Sequence, residues 1–211
     1  MLKLYLHPIS TPSLSVEFTA HAVGVKFEKK VVNLQSGEQR TEDFLEVNRA
    51  GKVPALQDGN FKISESLTIQ RYLARRQGSD LFPEDMKGQA QIEQWMDYVA
   101  HHVRSPFNRI QFNRLIAPML GQPSDENSIK MGLHFLEESL PIIDLKLEST
   151  EFLCGDSLSL GDLTLLASLD PAEILKVSLE PYPFVTRWRQ ALRERDFYQN
   201  VHTHFGAELG L

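Results

Sequence analysis

The 211-residue chain has one cysteine, Cys154, which excludes an intramolecular disulfide framework and any metal site built from cysteines alone. It also lacks positive charge: 22 Lys and Arg against 28 Asp and Glu leave a net charge of −6. A nucleic-acid partner would want a basic stripe, and none is present. The local basic groups, Lys26 to Lys30 and Arg71 to Arg76, are surrounded by acids and read as solvated faces. No window approaches the roughly 18 continuous apolar residues of a membrane span, so no membrane partner is expected. The opening MLKLYLHPIS has no apolar h-region, so no signal peptide is expected and a cytoplasmic, reducing compartment fits. Metal-ligand spacing is missing as well. The nearest approach, His202-x-His204, has no acidic or cysteine companion and reads as a surface pair, so no metal is expected.

What is present begins with Leu2-Lys-Leu-Tyr-Leu6, whose period-two alternation predicts a short strand. The next stretch, HPISTPSL, carries three hydroxyls and two prolines. Thr11 followed by Pro12 reads as an N-cap with proline at the first helical position, and Gly24 closes that helix. Phe27 to Leu34 reads as a second strand, and Thr41 to Val47 as a helix. Within GKVPALQDGNFKISES lie a strand over Val53 to Gln57, an Asp58-Gly59 hairpin turn and a strand over Phe61 to Ser64. A helix then starts at Glu65-Ser66 and runs to about Arg76. Strand, helix, strand, helix, strand, strand, helix describes a small mixed sheet with helices on its faces.

Residues 78–88, QGSDLFPEDMKG and its surroundings, read as a linker. Beyond it no strand pattern occurs. Ala90 to Asn113, Ser128 to Glu148, Leu160 to Leu169 and Tyr182 to Glu194 have helical apolar spacing. The expected organisation is therefore an α/β domain over residues 1–77 and an all-α bundle over 89–211.

Three stretches are chemically suggestive. Ser10-Thr11-Pro12-Ser13 has the spacing of a redox Cys-x-x-Cys turn with oxygen in place of sulfur. Dithiol exchange is thereby excluded. Hydroxyl donors at a helix N-terminus still favour an anion, and a bound thiolate would be stabilised there. Lowering a thiol pKa by about two units needs about 2.7 kcal/mol, within reach of one charge-assisted hydrogen bond plus the helix end. Plain helix capping explains the same hydroxyls, and both readings stay open. Val53-Pro54, with Lys52 before it, suggests an edge or a cis bond that leaves the Val53 backbone to pair with a peptide-like ligand, unless it is a simple turn. Ser64-Glu65-Ser66 suggests a carboxylate nest with Glu65 accepting from an ammonium group, or an ordinary capped helix.

The order STPS, GKVPAL, DG and SES, followed by an all-helical region, resembles the cytosolic glutathione S-transferases, with the serine-type theta and delta classes and their bacterial relatives most similar. FLCGDSLSLGDLTLLA is similar to that family's second-domain signature; Ser159-x-x-Asp162 within it is a capping-box variant with a structural role, and Cys154 reads as a small buried residue. The resemblance implies a thioredoxin-like N-terminal domain, a helical co-substrate domain, a homodimer, and detoxification by attack of the glutathione thiolate on hydrophobic electrophiles. It implies that Ser10 donates to the sulfur, with Thr11 and Ser13 as fallbacks, and that Val53 pairs with the cysteinyl part beside cis-Pro54. Glu65 and Ser66 would hold the γ-glutamyl end, and Gln39, Arg40 and Lys52 the glycyl carboxylate. The co-substrate pocket would involve His101, Arg104 and Phe107, with Ile110, Phe112, Leu115 and Ile116 lining it. One departure is Ser13-Leu14 where many relatives carry Cys-Arg. Rival readings are a glutathione-dependent dehalogenase, peroxidase or isomerase, and a non-catalytic ligand carrier or interaction module.

Overall fold

The protein, described by a computed structural model over residues 1–202, divides into two units. His204, half of the histidine pair noted above, lies outside the described residues. The first unit is Met1–Pro83 together with the stretch from Glu194, and the second is Glu84–Arg193.

In the first unit, strand β1 (Leu2–Leu6) buries Leu2, Leu4 and Leu6 on alternate positions. It pairs in parallel with β2 (Phe27–Val31) and antiparallel with β3 (Ala55–Asp58), which pairs antiparallel with β4 (Phe61–Ser64). The order β2-β1-β3-β4 forms a mixed sheet. Helices α1 (Thr11–Ala22) and α3 (Ser66–Gln77) add Val16, Ala20, Ile69 and Leu73 to the core beneath it. Each fully buried leucine or isoleucine contributes about 1.5–3 kcal/mol.

Several boundaries differ from expectation. The cap of α1 is Ser10, whose Oγ accepts the Ser13 N–H at 3.3 Å, and Thr11 is the first helical residue. Strand β2 ends at Val31 rather than Leu34, because Asn33 turns the chain: its Oδ1 accepts the Ser36 N–H at 3.0 Å. A 3-10 turn, Glu38–Arg40, leads into α2 (Glu42–Val47), capped by Thr41. Strand β3 starts at Ala55, after a cis Val53–Pro54 bond, since proline has no N–H for the ladder.

The 78–88 linker is partly anchored. Leu81 and Phe82 are buried, and Arg75 stacks over the Phe82 ring at 4.8 Å. The late helix α10 (Asp196–His202) does not join the bundle; Phe197 and Tyr198 pack on Phe18 of α1 at 6.1 and 5.4 Å. The helical domain is therefore shorter than the 89–211 assigned from sequence, and its C-terminal part belongs to the first unit.

The second unit opens with a long helix cut into sections: α4 (Met86–Tyr98), a π segment Val99–Arg104, α5 (Ser105–Gln111), a second π segment Phe112–Ile116, and α6 (Ala117–Met119). Pro106 explains the first widening. It cannot donate to the carbonyl of His102 one turn back, and its ring pushes that carbonyl aside. Ser139, on α7 (Glu126–Ser149), fills the gap by placing its hydroxyl 2.8 Å from the His102 oxygen. Ser139→Ala is expected to lower unfolding stability by about 1 kcal/mol in chemical denaturation, because the His102 and Phe135 carbonyls lose the hydroxyl they share.

Helix α8 (Leu160–Leu169) is buried on every face, as an all-round apolar helix must be. Asp162, in its first turn, accepts four hydrogen bonds: from Leu153 N–H (3.0 Å), Ser159 N–H (3.0 Å), Ser159 Oγ (2.7 Å) and Trp188 Nε1 (3.1 Å). Trp188 comes from α9 (Pro183–Arg193), whose own start is capped by Asp144. Burial outweighs those donors and lifts the Asp162 pKa to about 6. Cys154 is half-buried rather than buried, and burial pushes its thiol pKa up, away from nucleophilic character. Among the described residues no helix is long and apolar enough to cross a membrane.

Candidate functional site

Strand register gathers the first unit's chemistry at one end of the sheet. Tyr5 faces Ala55, and Ala55 faces Ser64. The turn after β1, the Val53-Pro54 approach to β3 and the Glu65-Ser66 exit from β4 therefore share that end.

The three hydroxyls of the first turn are not equivalent. Thr11 and Ser13 are each 1% exposed, and Ser13 Oγ accepts the His7 N–H at 3.2 Å. Ser10 is half-exposed. Its oxygen is occupied as an acceptor by the Ser13 N–H, while its own O–H donates to none of the described residues. A hydroxyl so placed caps the helix through its oxygen and keeps its proton uncommitted.

Val53 is half-buried and lies outside the β3 ladder; its N–H and C=O have no backbone partner among the described residues. Glu65 sits at the N-cap of α3 with φ 70° and ψ 114°, exposed and making no side-chain cap bond. A left-handed φ in a side chain of this size costs about 1–2 kcal/mol, so β4 and α3 hold it there against its preference. Ser66, the first helical residue, is 7% exposed.

Gly51 joins the remaining three. With φ +61°, it lets the Gln39–Arg40 turn lie against it: a Cβ there would be 2.7 Å from Arg40 Nη1 and 3.0 Å from the Gln39 carbonyl oxygen. Arg40 is thus set beside Lys52, whose carbonyl is held by Asn48 Nδ2 at 2.7 Å. Neither cation forms an ion pair among the described residues. Gln39 Nε2 donates to the Leu34 carbonyl at 3.4 Å, and its Oε1 is buried with no partner among the described residues. Sequence analysis missed Gly51; a glycine directly before a candidate ligand-binding lysine was the available signal.

The co-substrate residues expected from sequence do not converge within the second unit. Arg104 is 6% exposed, donates Nε–H to Ser168 Oγ at 3.2 Å, and has its pKa lowered to about 10 by burial. Phe107 and Ile110 are fully buried core residues. The side chains of Arg104, Phe107 and Ile110, which the resemblance put at the co-substrate pocket, are thus packed in the interior of the second unit. His101 is exposed and lines a depression of about 400 Å³ with Tyr98, His102, Arg109, Phe135 and Ile142. Phe112 is exposed, and Leu115 and Ile116 are partly so.

Comparison with known proteins gives a consistent assignment. Residues 1–75 match the glutathione S-transferase N-terminal domain, and residues 107–196 the C-terminal domain. The chain is 38% identical over 159 residues to glutathione S-transferase F10 of Arabidopsis thaliana, covering 74% of each. It is 30% identical over 209 residues to mouse (Mus musculus) glutathione S-transferase theta-3, covering 95% of this chain and 87% of that one. Its fold superposes with a TM-score of 0.87 at 30% identity on the structure of glutathione S-transferase-I bound with lactoylglutathione, covering 95% and 97% of the two chains. Taken with the sheet topology and the helical second unit, these matches make this chain a member of the glutathione S-transferase family.

Proposed function

We propose that this enzyme binds glutathione at the end of the sheet marked by Ser10, Val53 and Glu65, and transfers the thiolate to hydrophobic electrophiles. The observation that carries the reading is the half-exposed Ser10 hydroxyl, whose oxygen is committed to the helix while its proton is not. That proton stabilises a sulfur anion, and the N-terminus of α1 adds its partial positive charge. Ser10 forms no covalent bond. It donates a hydrogen bond, and the attacking atom is the ligand's sulfur.

The rest of the tripeptide finds complementary groups. The unpaired Val53 backbone supports strand-like pairing with the cysteinyl residue beside cis-Pro54. Exposed Glu65 suits the γ-glutamyl ammonium, and Ser66 with the first turn of α3 suits its carboxylate. Arg40 and Lys52 suit the glycyl carboxylate, while the orphaned Gln39 Oε1 suits a peptide N–H. Thr11, buried at the same turn, is a reserve donor at most.

Titrating protein-bound glutathione by thiolate absorbance tests the reading. The thiol should ionise about two pH units below free glutathione; identical titration bound and free would overturn it. Retention of glutathione without turnover on any aryl halide, peroxide or halocarbon would instead indicate a ligand carrier. The Arg40→Ala, Lys52→Ala double variant is expected to raise KM for glutathione at least about tenfold, leave kcat within about twofold, and lose the salt sensitivity of KM in steady-state assays.

A homodimer is part of this proposal. Met131, Phe135, Ile142 and Leu145 form an exposed apolar stripe along α7, which supports burial against a second copy. Its check is the mass in solution by light scattering. A cytoplasmic location, where thiols stay reduced, completes the reading.

A further inference from the structure

Between α1 and α3 runs a polar chain with no solvent access. Ser15, Thr19 and Gln70 are each 0% exposed. Gln70 Nε2 donates to Ser15 Oγ at 3.3 Å, and Ser15 Oγ donates onward to the Pro12 carbonyl at 2.9 Å. Thr19 Oγ1 lies 2.7 Å from the Ser15 carbonyl and 3.1 Å from Gln70 Oε1, sharing its one proton between two acceptors. The direction is self-consistent. Ser15 spends its proton on Pro12, so it must accept, which fixes the Gln70 amide with nitrogen toward Ser15 and oxygen toward Thr19.

Neither Ser15 nor Thr19 depends on this amide for a hydrogen-bond partner. Without Gln70, Ser15 keeps its bond to Pro12 and Thr19 keeps its bond to the Ser15 carbonyl. Burying an amide costs more than burying an apolar side chain of its size, and the surrounding core of Val16, Ala20, Ile69 and Leu73 would accept one. What the amide adds is a fixed relation between two helix N-termini. Pro12 is two residues after Ser10; Gln70 is one turn after Ser66. The bridge therefore couples the turn offered to the sulfur with the turn offered to the γ-glutamyl group.

We propose that Gln70 is a positioning residue, which acts through Ser15 and Pro12 to hold the Ser10 hydroxyl at a set distance from Glu65 and Ser66, and so tunes the acidity of the bound thiol. The inference rests on the glutathione reading above. A ligand anchored at its glutamyl end presents its sulfur at one place. Only a hydroxyl held within a few tenths of an ångström of that place donates well, since hydrogen-bond strength falls quickly with distance and angle.

Gln70→Leu, which keeps the volume and removes the bridge, tests this beside two controls. Val25→Ala destabilises the same unit away from the bridge, and Ser10→Ala reports whether the hydroxyl matters at all. Bound-thiol pKa, kcat, KM and unfolding temperature are measured for all of them. The expected result for Gln70→Leu is a rise of at least about half a pH unit in the bound thiol pKa, equivalent to about threefold less thiolate at a pH below both values. KM for glutathione should change less than kcat, and Val25→Ala should shift unfolding temperature without shifting the thiol pKa. Ser15→Ala should reproduce the shift, and the double variant should add little to it. A Gln70→Leu protein with lowered unfolding temperature but unchanged thiol pKa overturns the positioning role while Ser10→Ala remains impaired. If Ser10→Ala itself leaves the thiol pKa unchanged, the underlying glutathione reading falls instead.

Discussion

Ser10→Ala is expected to lower kcat/KM about fiftyfold at pH 6.5, and the deficit should shrink to a few-fold at pH 9. A bound thiol with pKa near 6.5 is about half ionised at pH 6.5, whereas one near 8.5 is about one per cent ionised. At high pH both ionise unaided, so the variant recovers. A defect of constant size across pH would mean that Ser10 acts otherwise than through thiol acidity. The substitution also removes the α1 cap, at about 1 kcal/mol of stability. Ser10→Asp separates the two roles. Aspartate caps the helix as well as serine does, but offers no proton and repels a thiolate. Its unfolding temperature should stay near that of the parent protein while its activity falls at least as far as that of the alanine variant.

Asp162→Ala should be the most damaging single change outside the site. It leaves the N–H groups of Leu153 and Ser159 and Trp188 Nε1–H buried without their acceptor, at an expected cost of about 3–5 kcal/mol. Against a total stability of about 5–15 kcal/mol, that loss removes between about a fifth and all of the margin. Denaturant unfolding followed by far-UV circular dichroism reads this directly. The pH dependence has a definite sign. The folded Asp162 pKa is raised from 3.8 to about 6, so the folded protein holds a proton that the unfolded chain has released. Its contribution is therefore fullest below the unfolded value and is lost as pH rises toward 6, with no further change above. Asp162→Asn cannot titrate at this position. The stability gap between parent and Asp162→Asn should accordingly be wider at pH 4.5 than at pH 7.5. A gap that widens with rising pH would contradict the raised pKa.

Legibility in the sequence followed the range of the interactions involved. Alternating Leu2, Leu4 and Leu6, the Asp58-Gly59 turn and the start of α3 depend on neighbours a few residues away, and all three were readable. So was the capping box at Ser159 and Asp162, although not the bonds to Leu153 and Trp188 that tie it to other elements. The α1 cap was misplaced by one residue because Ser10 and Thr11 are both good caps and proline fits either of the first two helical positions. The burial of Arg104 was not legible, because its partner Ser168 is 64 residues away and gives no local signal. The helix expected over Ala90 to Asn113 runs through Pro106, but its spacing gave no sign of the π segments or of Ser139 at the His102 carbonyl. At the site itself, the resemblance ranked Ser10 ahead of Thr11 and Ser13, whereas spacing alone did not: burial separates the three, and no spacing rule encodes burial.

The docking of α10 on α1 has a consequence for assembly. Phe18, near the middle of the helix that begins at Ser10, is covered by Phe197 and Tyr198, which emerge from the ribosome about 180 residues later. The α/β unit is therefore interrupted in sequence by the whole helical one, like a sentence closed only after a long parenthesis. During synthesis α1 stays uncovered on one flank until the helical insert has been made, and a nascent chain stalled before Asp196 would expose Phe18 to whatever binds bare aromatic surface.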